Sequence, residues 1–290
     1  MPIFYWLQAA RIPSIVNIVI PILVGVSLSK HTLQLSEFLW ILGVSFLYSL
    51  FIVFLNDAAD LKADENNLDY TLYSGGSRVI QEKKLTKETI FRAGITIAGI
   101  LVVSIGVFSI ISSNYLLVLY PIAAVLLLYS YSFPPLKLNY KGGGEVLQGL
   151  GCGVLLPMFG YSFFTQQHFF SLSILLPYFF LHVSSSIGSS IPDSRSDLES
   201  GKKTLSALFG REIGSLIAAI IVVATTIAVY LLSPTQTSTY LFFGFMFPLM
   251  FSVIQCILIP LMKRNKVAVF FSGMLPVLSV VSYSFGIILP

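Results

Sequence analysis

Residues 38–67 read FLWILGVSFLYSLFIVFLNDAADLKADENN, an apolar run that ends in a cluster of acidic side chains. The apolar part, residues 38–55, approaches the length of about 20 residues that a helix needs to cross the hydrocarbon core of a bilayer. Asp57, Asp60 and Asp64 follow at spacings of three and four, so a helix that continues past the membrane edge carries them on one face. The stretch therefore predicts a membrane-spanning helix with an acidic stripe at its end.

The composition of the whole chain indicates a membrane protein. Of its 290 residues, 56% are hydrophobic and 10% are charged, whereas soluble domains carry about 25% charged residues. The net charge of +4 is small and the basic residues form no continuous arm, which argues against nucleic acid as a partner. Cys152 and Cys256 lie far apart within apolar stretches, which predicts buried free thiols and neither a disulfide scaffold nor a zinc site.

Nine segments have the length and apolar character of membrane spans. They are residues 12–29, 38–55, 89–111, 115–133, 145–164, 171–191, 213–232, 239–262 and 267–289. The connections SSN (112–114), TQQHFF (165–170) and SPTQTS (233–238) are polar or turn-like, as expected between antiparallel helices. We therefore predict an all-α polytopic membrane protein with nine transmembrane helices, in which residues 1–290 form a single integral membrane domain.

The basic residues predict the orientation of these spans. With nine spans, the N-terminus and the connections after spans two, four, six and eight share one side, which holds every Lys and Arg except Lys30. Cytoplasmic connections carry an excess of Lys and Arg, so this side is predicted to be cytoplasmic and the C-terminus to lie on the opposite side. We expect a protein of the bacterial inner membrane.

A second acidic motif, Asp193-x-x-x-Asp197, follows the sixth predicted span and leads into GKKTL (201–205). Its two carboxylates share a helix face, as do those of NDAADLKAD (56–64) after the second span. Both motifs therefore lie at the same depth on the cytoplasmic side, with four spans separating their positions. This spacing predicts two related four-helix halves plus a ninth helix.

Carboxylates that converge from two helices repel one another unless a cation lies between them. Ligand sets made only of oxygen favour magnesium or calcium over zinc or copper, and magnesium commonly bridges carboxylates to substrate phosphates. Nearby basic side chains could neutralise the remaining phosphate charge; they are Arg78, Lys137, Lys141, Lys202 and Lys203. The alternative is that the aspartates only cap solvated helix ends, but two motifs on one face favour a site for metal ions and a diphosphate.

Five segments of the sequence, in chain order, resemble the UbiA superfamily of intramembrane prenyltransferases. They are AARIPSIVNIVIPILVG (9–25), NDAADLKAD (56–64), SGGSRVIQEKKLT (74–86), YSFPPLKLNYKGGGE (131–145) and DSRSDLESGKKTL (193–205). The resemblance implies an enzyme that transfers an isoprenyl group from its diphosphate to an acceptor inside the membrane. It also implies two Mg²⁺ ions that bridge the diphosphate.

The same resemblance implies roles for individual residues. The implied metal ligands are Asn56, Asp57, Asp60, Asp64, Asp193 and Asp197, and the last four aspartates are the expected catalytic carboxylates. The implied diphosphate contacts are Arg11, Arg78, Lys137 and Lys202, with Lys141 and Lys203 beside them. The GGSRVI and GKKTL segments favour naphthoate-type acceptors. Ser190 and Asn139 depart from the Asn and Lys that are usual in the family at those positions, and this leaves the acceptor open.

The reaction of an allylic diphosphate requires positive charge beside the leaving group and the exclusion of water from the carbocation. Metal ions and cationic side chains stabilise the leaving diphosphate, and the carbocation must be kept from water until an acceptor attacks. Aromatic ring faces stabilise cations, and Tyr131 is the candidate here, with a purely packing role as the alternative. We therefore predict prenyl transfer to a small aromatic acceptor, in quinone biosynthesis of the menaquinone type.

Two other functions stay open. Within the superfamily, the protein could cyclise a prenyl diphosphate without an acceptor, or prenylate a lipid. A secondary transporter would also need many helices and an internal repeat. Transporters place ionisable residues near the bilayer midplane, whereas the carboxylates here follow the spans, so transport is the least favoured of the three.

Overall fold

The computed structural model describes residues 2–67, 75–232 and 238–289, and every regular element within these ranges is helical. The predicted connection 233–238 falls outside the described residues except for its last position, and Ser74 of the segment 74–86 also falls outside them. The helices are α1 (Pro2–Ala9), α2 (Val16–Leu28), α3 (Leu35–Ala59), α4 (Leu61–Asn66), α5 (Lys87–Ile111), α6 (Leu119–Ser132), α7 (Leu138–Lys141), α8 (Gly144–Leu150), α9 (Leu156–Thr165), α10 (Leu172–Ser190), α11 (Ser194–Ser200), α12 (Leu205–Phe209), α13 (Arg211–Leu232), α14 (Ser238–Leu241), α15 (Phe247–Leu258) and α16 (Lys266–Ile288).

Short turns of 3-10 or π helix extend several of these helices. The 3-10 turns are Ile12–Ile15 before α2, Tyr115–Val118 before α6 and Ile259–Leu261 after α15. The π turns are Gly151–Leu155, between α8 and α9, and Phe242–Met246, between α14 and α15. The π turns lie inside the fifth and eighth spans, so each of these spans runs through two helices and the turn between them.

Eight helical segments within the described residues are long and apolar enough to cross a membrane. A ninth is the bent pair Ile3–Ala9 and Ile12–Leu28, whose two parts meet at 42°. These segments correspond in order to the nine predicted spans, and the all-α prediction is confirmed. Large apolar side chains such as Val103, Ile110 and Ile111 of α5 are exposed, as expected of a surface that faces lipid.

Three details differ from the sequence prediction. Helix α1 was not predicted, because it is too short to stand out from the first span. Helix α3 begins before the predicted span and continues past it to Ala59, starting at a capping box in which Gln34 and Glu37 bond each other's backbone. Cys152 is half-buried, but Cys256 is exposed on α15, so the prediction of a buried thiol is wrong for Cys256. An apolar stretch in a membrane protein has a lipid-facing side as well as a buried one.

Helix α2 packs against α3, α9 and α16. It crosses α9 through two glycines. A Cβ atom on Gly25 would lie 1.9 Å from the carbonyl oxygen of Pro157, and one on Gly160 would lie 2.1 Å from that of Ile22. Small residues allow such close approach between helices in a membrane, where dispersion contacts and not water exclusion hold helices together. This contact fixes the first span against the fifth.

The short helices α4, α7, α11 and α12 position the candidate site. Each follows or precedes a spanning helix on the side that the sequence predicts to be cytoplasmic. Helix α4 continues from α3 and packs against α11, which follows α10. The segments that carry the two acidic motifs therefore meet at this end of the bundle.

Candidate active site

The first acidic motif lies at a break in the helix. Helix α3 ends at Ala59, and Asp60 has φ −94° and ψ 13°, which is outside the helical range. Helical hydrogen bonding nevertheless runs through the break, because Asp60 N donates to Asn56 O at 2.8 Å and Asp64 N donates to Asp60 O at 3.0 Å. The side chains of Asp57, Asp60 and Asp64 are all buried. The three aspartate side chains of this motif therefore point into the protein interior.

The second motif lies on α11. Asp193 precedes the helix, and its carbonyl oxygen accepts a 2.8 Å bond from the backbone N–H of Asp197. The side chain of Asp197 is buried, and that of Asp193 is half-buried. Helix α11 ends at Gly201, which has φ +88°, a left-handed conformation that glycine adopts at low cost. The chain therefore turns sharply there, immediately before Lys202.

Lys202 joins the two motifs. Its ammonium nitrogen lies 2.9 Å from Asp60 Oδ2 and 3.2 Å from Asp197 Oδ1, and its side chain is buried. The hydroxyl of Tyr140, on α7, donates a 3.2 Å hydrogen bond to Asp60 Oδ1. A buried charge is tolerated when it is paired and hydrogen-bonded, and here one lysine pairs with a carboxylate from each half of the molecule.

The loop after α4 contacts both motifs through its backbone. Ser77 N donates to Asp57 Oδ2 at 3.1 Å, and Gly75 N donates to Asp193 Oδ2 at 3.3 Å. A guanidinium nitrogen of Arg78 donates to the carbonyl oxygen of Asp64. Gly76 has φ +70°, and a Cβ atom there would lie 2.1 Å from Asp64 Oδ2. Only glycine fits at this position, because the backbone must pass directly over a carboxylate.

A cavity of about 590 Å³ lies beside these residues. The site residues predicted from the sequence that line it are Arg11, Asn56, Asp60, Asp64, Tyr131, Asp193, Asp197 and Lys202. Along α3 its wall extends from Asn56 back to Tyr48, which is about 12 Å at 1.5 Å per residue. Deeper in, the walls are mainly apolar and include Leu128, Leu155 and Val277. The cavity therefore has a charged end and an apolar interior.

Asp57 and Arg78 do not line the cavity. Asp57 faces Arg11, with 3.8 Å between Oδ1 and a guanidinium nitrogen, and it accepts the bond from Ser77 N. Arg78 reaches the backbone of α4. Both residues therefore lie on or contact the segments that carry the lining carboxylates without facing the cavity themselves.

Three predicted lysines also lie outside the cavity lining. The ammonium nitrogen of Lys137 lies 3.6 Å from the centre of the Tyr140 ring, a cation–π contact. Lys141 is exposed and donates to the carbonyl oxygen of Pro135 at 2.7 Å. Lys203 is exposed beside the buried Lys202. The structure thus brings Lys202, and not its neighbour, to the carboxylates.

Four residues at the site were not singled out from the sequence: Asn67, Gly75, Ser77 and Tyr140. Gly75 and Ser77 each contact an aspartate through a backbone amide, and Tyr140 does so through its phenol, as described above. The side-chain amide of Asn67 donates a 2.7 Å hydrogen bond to Asp193 Oδ1. Consecutive glycines before Ser77 were the available signal, because Gly-Gly marks a place where backbone N–H groups can approach an anion.

The site is short of positive charge. The pKa of Asp64 is raised to about 8, mainly by burial and secondly by the nearby carboxylates of Asp57 and Asp60. Burial also raises the pKa of Asp197 to about 6, although Lys202 opposes this shift. For Lys202, burial disfavours the charged form, but the carboxylates of Asp60 and Asp197 outweigh it and hold the pKa well above its usual value. Among the residues that the structure describes, the cavity lining also has five acidic side chains (Asp60, Asp64, Glu145, Asp193 and Asp197) and two basic ones (Arg11 and Lys202).

The donor set fits a hard divalent cation. Across the part of the chain that the structure describes, no three Asp, Glu, His or Cys side chains converge closely enough to ligate one ion as they stand. Instead, the ammonium group of Lys202 lies between Asp60 and Asp197 as a cation of the protein's own. The donors are oxygens only, buried and insufficiently neutralised, which is the chemistry that Mg²⁺ or Ca²⁺ prefers.

Solved structures share this fold. A UbiA homolog from Archaeoglobus fulgidus bound to GPP and Mg²⁺ is 17% identical, with a TM-score of 0.66, and the match covers 98% of this chain and 99% of that chain. The same homolog bound to DMAPP and Mg²⁺ gives 15% identity and a TM-score of 0.70, with 98% of each chain covered. A digeranylgeranylglyceryl phosphate synthase is 17% identical, with a TM-score of 0.61 and 99% of each chain covered.

Sequence comparison agrees with the fold. No curated protein matches the chain by sequence. The profile of the UbiA prenyltransferase family, however, matches residues 18–279, which include both acidic motifs and all of the spans except the ends of the first and last. With this match over most of its length, the chain belongs to the UbiA prenyltransferase family.

Proposed function

We propose that this protein transfers an isoprenyl group from a prenyl diphosphate to a small aromatic acceptor, with Mg²⁺ held by carboxylates of both acidic motifs. One observation carries the proposal: Asp60 and Asp64 of the first motif line the same cavity as Asp193 and Asp197 of the second. That cavity continues into an apolar interior, so its polarity matches a substrate with a charged head and a hydrocarbon tail. The Mg²⁺ and the GPP or DMAPP bound to the Archaeoglobus homolog support the same assignment.

The residues that line the cavity would have different roles in the reaction. Mg²⁺ held by Asp60, Asp64, Asp193 and Asp197 would supply positive charge that stabilises a leaving diphosphate. Lys202 and Arg11 add cationic charge beside the diphosphate, and Tyr131 lines the cavity where its ring can face the allylic cation. The apolar walls exclude water. The acceptor would then form a bond to C1 in place of the broken C1–O bond and pass its proton to the departing diphosphate.

Substitution of one carboxylate from each motif tests the proposal. We expect Asp60→Ala and Asp193→Ala to lower prenyl transfer by about a hundredfold or more, because each removes a carboxylate that would hold the Mg²⁺ whose charge stabilises the leaving group. Glu199→Ala is the matched control, since Glu199 is an exposed acid of α11 that pairs with Arg195. EDTA should stop the reaction and Mg²⁺ should restore it. Wild-type rates in both aspartate variants would refute the assignment.

The proposed acceptor rests on a resemblance in the sequence. The resemblance of GGSRVI (75–80) and GKKTL (201–205) to naphthoate-type members supports an aromatic acceptor and a role in menaquinone-type quinone biosynthesis. A lipid acceptor is the alternative, because the fold also matches digeranylgeranylglyceryl phosphate synthase. Incubation with a panel of hydroxylated aromatic acids, glycerol lipids and prenyl diphosphates of several lengths distinguishes them. A cyclic hydrocarbon released without any acceptor would contradict transfer.

The distribution of basic residues supports an orientation in the membrane. We propose that the acidic motifs face the cytoplasm of a bacterial inner membrane and that the C-terminus faces the opposite side. Single cysteines in place of Lys30 and Lys263, in a variant lacking Cys152 and Cys256, provide the test in intact cells. An impermeant maleimide should label position 30 and spare position 263. Labelling of position 263 alone would reverse the orientation.

A further inference from the structure

Lys202 is turned inward by the chain that leads to it. Gly201 ends α11 in a left-handed conformation, and the backbone N–H of Lys202 donates a 2.8 Å bond to the carbonyl oxygen of Asp197. The side chain of Lys202 is consequently buried, whereas that of Lys203 is exposed. The same turn that closes the helix therefore delivers one ammonium group to the centre of the site.

The contacts of this ammonium group connect the two halves of the molecule. It lies 2.9 Å from Asp60 Oδ2, after the second span, and 3.2 Å from Asp197 Oδ1, after the sixth. Mg²⁺ binds carboxylate oxygens at about 2.1 Å, so a metal ion shared by these oxygens would need them closer than the ammonium group holds them. A metal ion that bridges this pair of oxygens would therefore take the position that the ammonium group occupies between them.

We propose that Lys202 is a built-in counterion that holds the two acidic motifs together before the metal binds, and that it moves from the carboxylates to the diphosphate when Mg²⁺ and substrate arrive. This inference rests on the proposed function, because it assumes that Mg²⁺ and a diphosphate occupy the site. It assigns Lys202 a positioning role in the free enzyme in addition to its expected contact with the diphosphate.

The electrostatics give the proposal a measurable consequence. Without a diphosphate, Mg²⁺ must displace a buried ammonium group from the two carboxylates with which it is paired, so the metal binds weakly. With a diphosphate present, the displaced ammonium group gains a new anionic partner, and the cost of displacement falls. Binding of Mg²⁺ and of diphosphate is therefore coupled through Lys202, and by linkage each raises the affinity for the other.

Calorimetric titration of the full-length purified protein with MgCl₂, with and without inorganic pyrophosphate, tests the proposal. The variants are Lys202→Met and Lys202→Gln, which remove the charge, and Lys202→Arg, which keeps it. Lys62→Met is the matched control, because Lys62 is an exposed lysine between Asp60 and Asp64 in sequence. We expect Lys202→Met to bind Mg²⁺ alone roughly tenfold more tightly than the wild type, since a neighbouring charge shifts such equilibria by a factor of ten or more.

The same titrations separate the outcomes. We expect pyrophosphate to increase the Mg²⁺ affinity of the wild type and of Lys202→Arg by a larger factor than that of Lys202→Met, and we expect Lys62→Met to match the wild type. Unchanged or weaker binding of Mg²⁺ alone by both neutral variants would overturn the proposal while leaving the metal site in place. Failure of both neutral variants to fold, with or without Mg²⁺, would also overturn it, because the metal would then be unable to replace the lysine. Absence of Mg²⁺ binding to the wild type under every condition would refute the proposed function itself.

Discussion

The side-chain amide of Asn67 donates a 2.7 Å hydrogen bond to Oδ1 of Asp193, joining residues that are 126 positions apart. Asn67 follows α4, and Asp193 begins the second acidic motif, so this bond links the two halves of the molecule at the site. Because the carboxylate also accepts a bond from Gly75 N, its orientation is set by donors from the opposite half. The second motif is thus positioned by the segment that follows the first.

Replacement of Asn67 should therefore loosen the site. We expect Asn67→Ala to lower the affinity for Mg²⁺ and diphosphate by roughly threefold to tenfold, because a buried hydrogen bond contributes about 1 kcal/mol. Asn67→Asp should lower the affinity for pyrophosphate further, since it places a second carboxylate against Asp193 where the anion is proposed to bind. Titration with Mg²⁺ and pyrophosphate measures both variants. Equal affinities for Asn67→Asp and the wild type would contradict a role of this bond.

The hydroxyl of Tyr140 gives a second prediction. Tyr140→Phe removes the donor to Asp60 Oδ1 but keeps the ring beneath Lys137. We expect kcat/KM for prenyl transfer to fall by about threefold to tenfold, in line with the loss of one hydrogen bond to a charged group. Tyr115→Phe, an exposed tyrosine at the start of the fourth span, is the control and should leave kcat/KM unchanged. A similar effect from both substitutions would exclude a specific role for Tyr140.

The crossing of α2 and α9 predicts a loss of stability. Gly25→Ala places a Cβ atom against the carbonyl oxygen of Pro157, which cannot move away without shifting α9. We expect a destabilisation of about 1–3 kcal/mol or more, as for overpacking of a tight contact. Gly43→Ala is the matched control, because a Cβ atom there meets nothing within 4 Å. Thermal unfolding in detergent should show a lower Tm for Gly25→Ala only, and equal Tm values would show that the helices are not tightly packed.

The raised pKa values of Asp64 and Asp197 predict how pH affects the metal-free protein. Because folding raises the pKa of Asp64 from 3.8 to about 8, the stability from its protonated form is present at low pH and is lost as the pH rises towards 8. The pKa of Asp197 is raised to about 6, so this residue also lowers the stability as the pH rises, over the lower part of the same pH range. We expect the Tm measured in EDTA to fall between pH 5 and pH 8.

Mg²⁺ should reverse this trend, because metal ligands must lose their protons to bind. The increase in Tm on addition of Mg²⁺ is therefore expected to grow from pH 5 to pH 8. Asp64→Asn provides the control, since it removes the group with the larger shift and should flatten the profile in EDTA. A Tm in EDTA that rises with pH over this window would contradict the assignment of buried, mutually repelling carboxylates.

The sequence predicted the spans because each is a long apolar run, and this signal does not depend on tertiary contacts. It predicted the aspartates as a group because their spacing is local. It did not predict the break at Asp60, since Ala58, Ala59 and Leu61 around it favour a continuous helix. Helix α1 was missed for a related reason: eight residues before a bend are too few to show a period.

The partners of the aspartates could not be predicted, because they come from distant segments. Asn67, Ser77 and Tyr140 lie in or beside stretches that were recognised, yet which atom faces which carboxylate depends on how the loops fold over the bundle. The difference between Lys202 and Lys203 is likewise a matter of backbone direction after Gly201, which two adjacent lysines in a sequence do not reveal.

In the proposed site, carboxylates from both motifs hold Mg²⁺ on a prenyl diphosphate in one cavity. The most direct measurement is the number of Mg²⁺ ions bound per chain in the presence of an unreactive prenyl thiodiphosphate, for the wild type, Asp60→Asn and Asp193→Asn. These substitutions keep side-chain size and remove one charge from each motif. We expect the wild type to bind two Mg²⁺ ions per chain. We expect both variants to bind fewer Mg²⁺ ions and to lose binding of the thiodiphosphate. Unchanged stoichiometry and affinity in either variant would contradict a site shared by the two motifs.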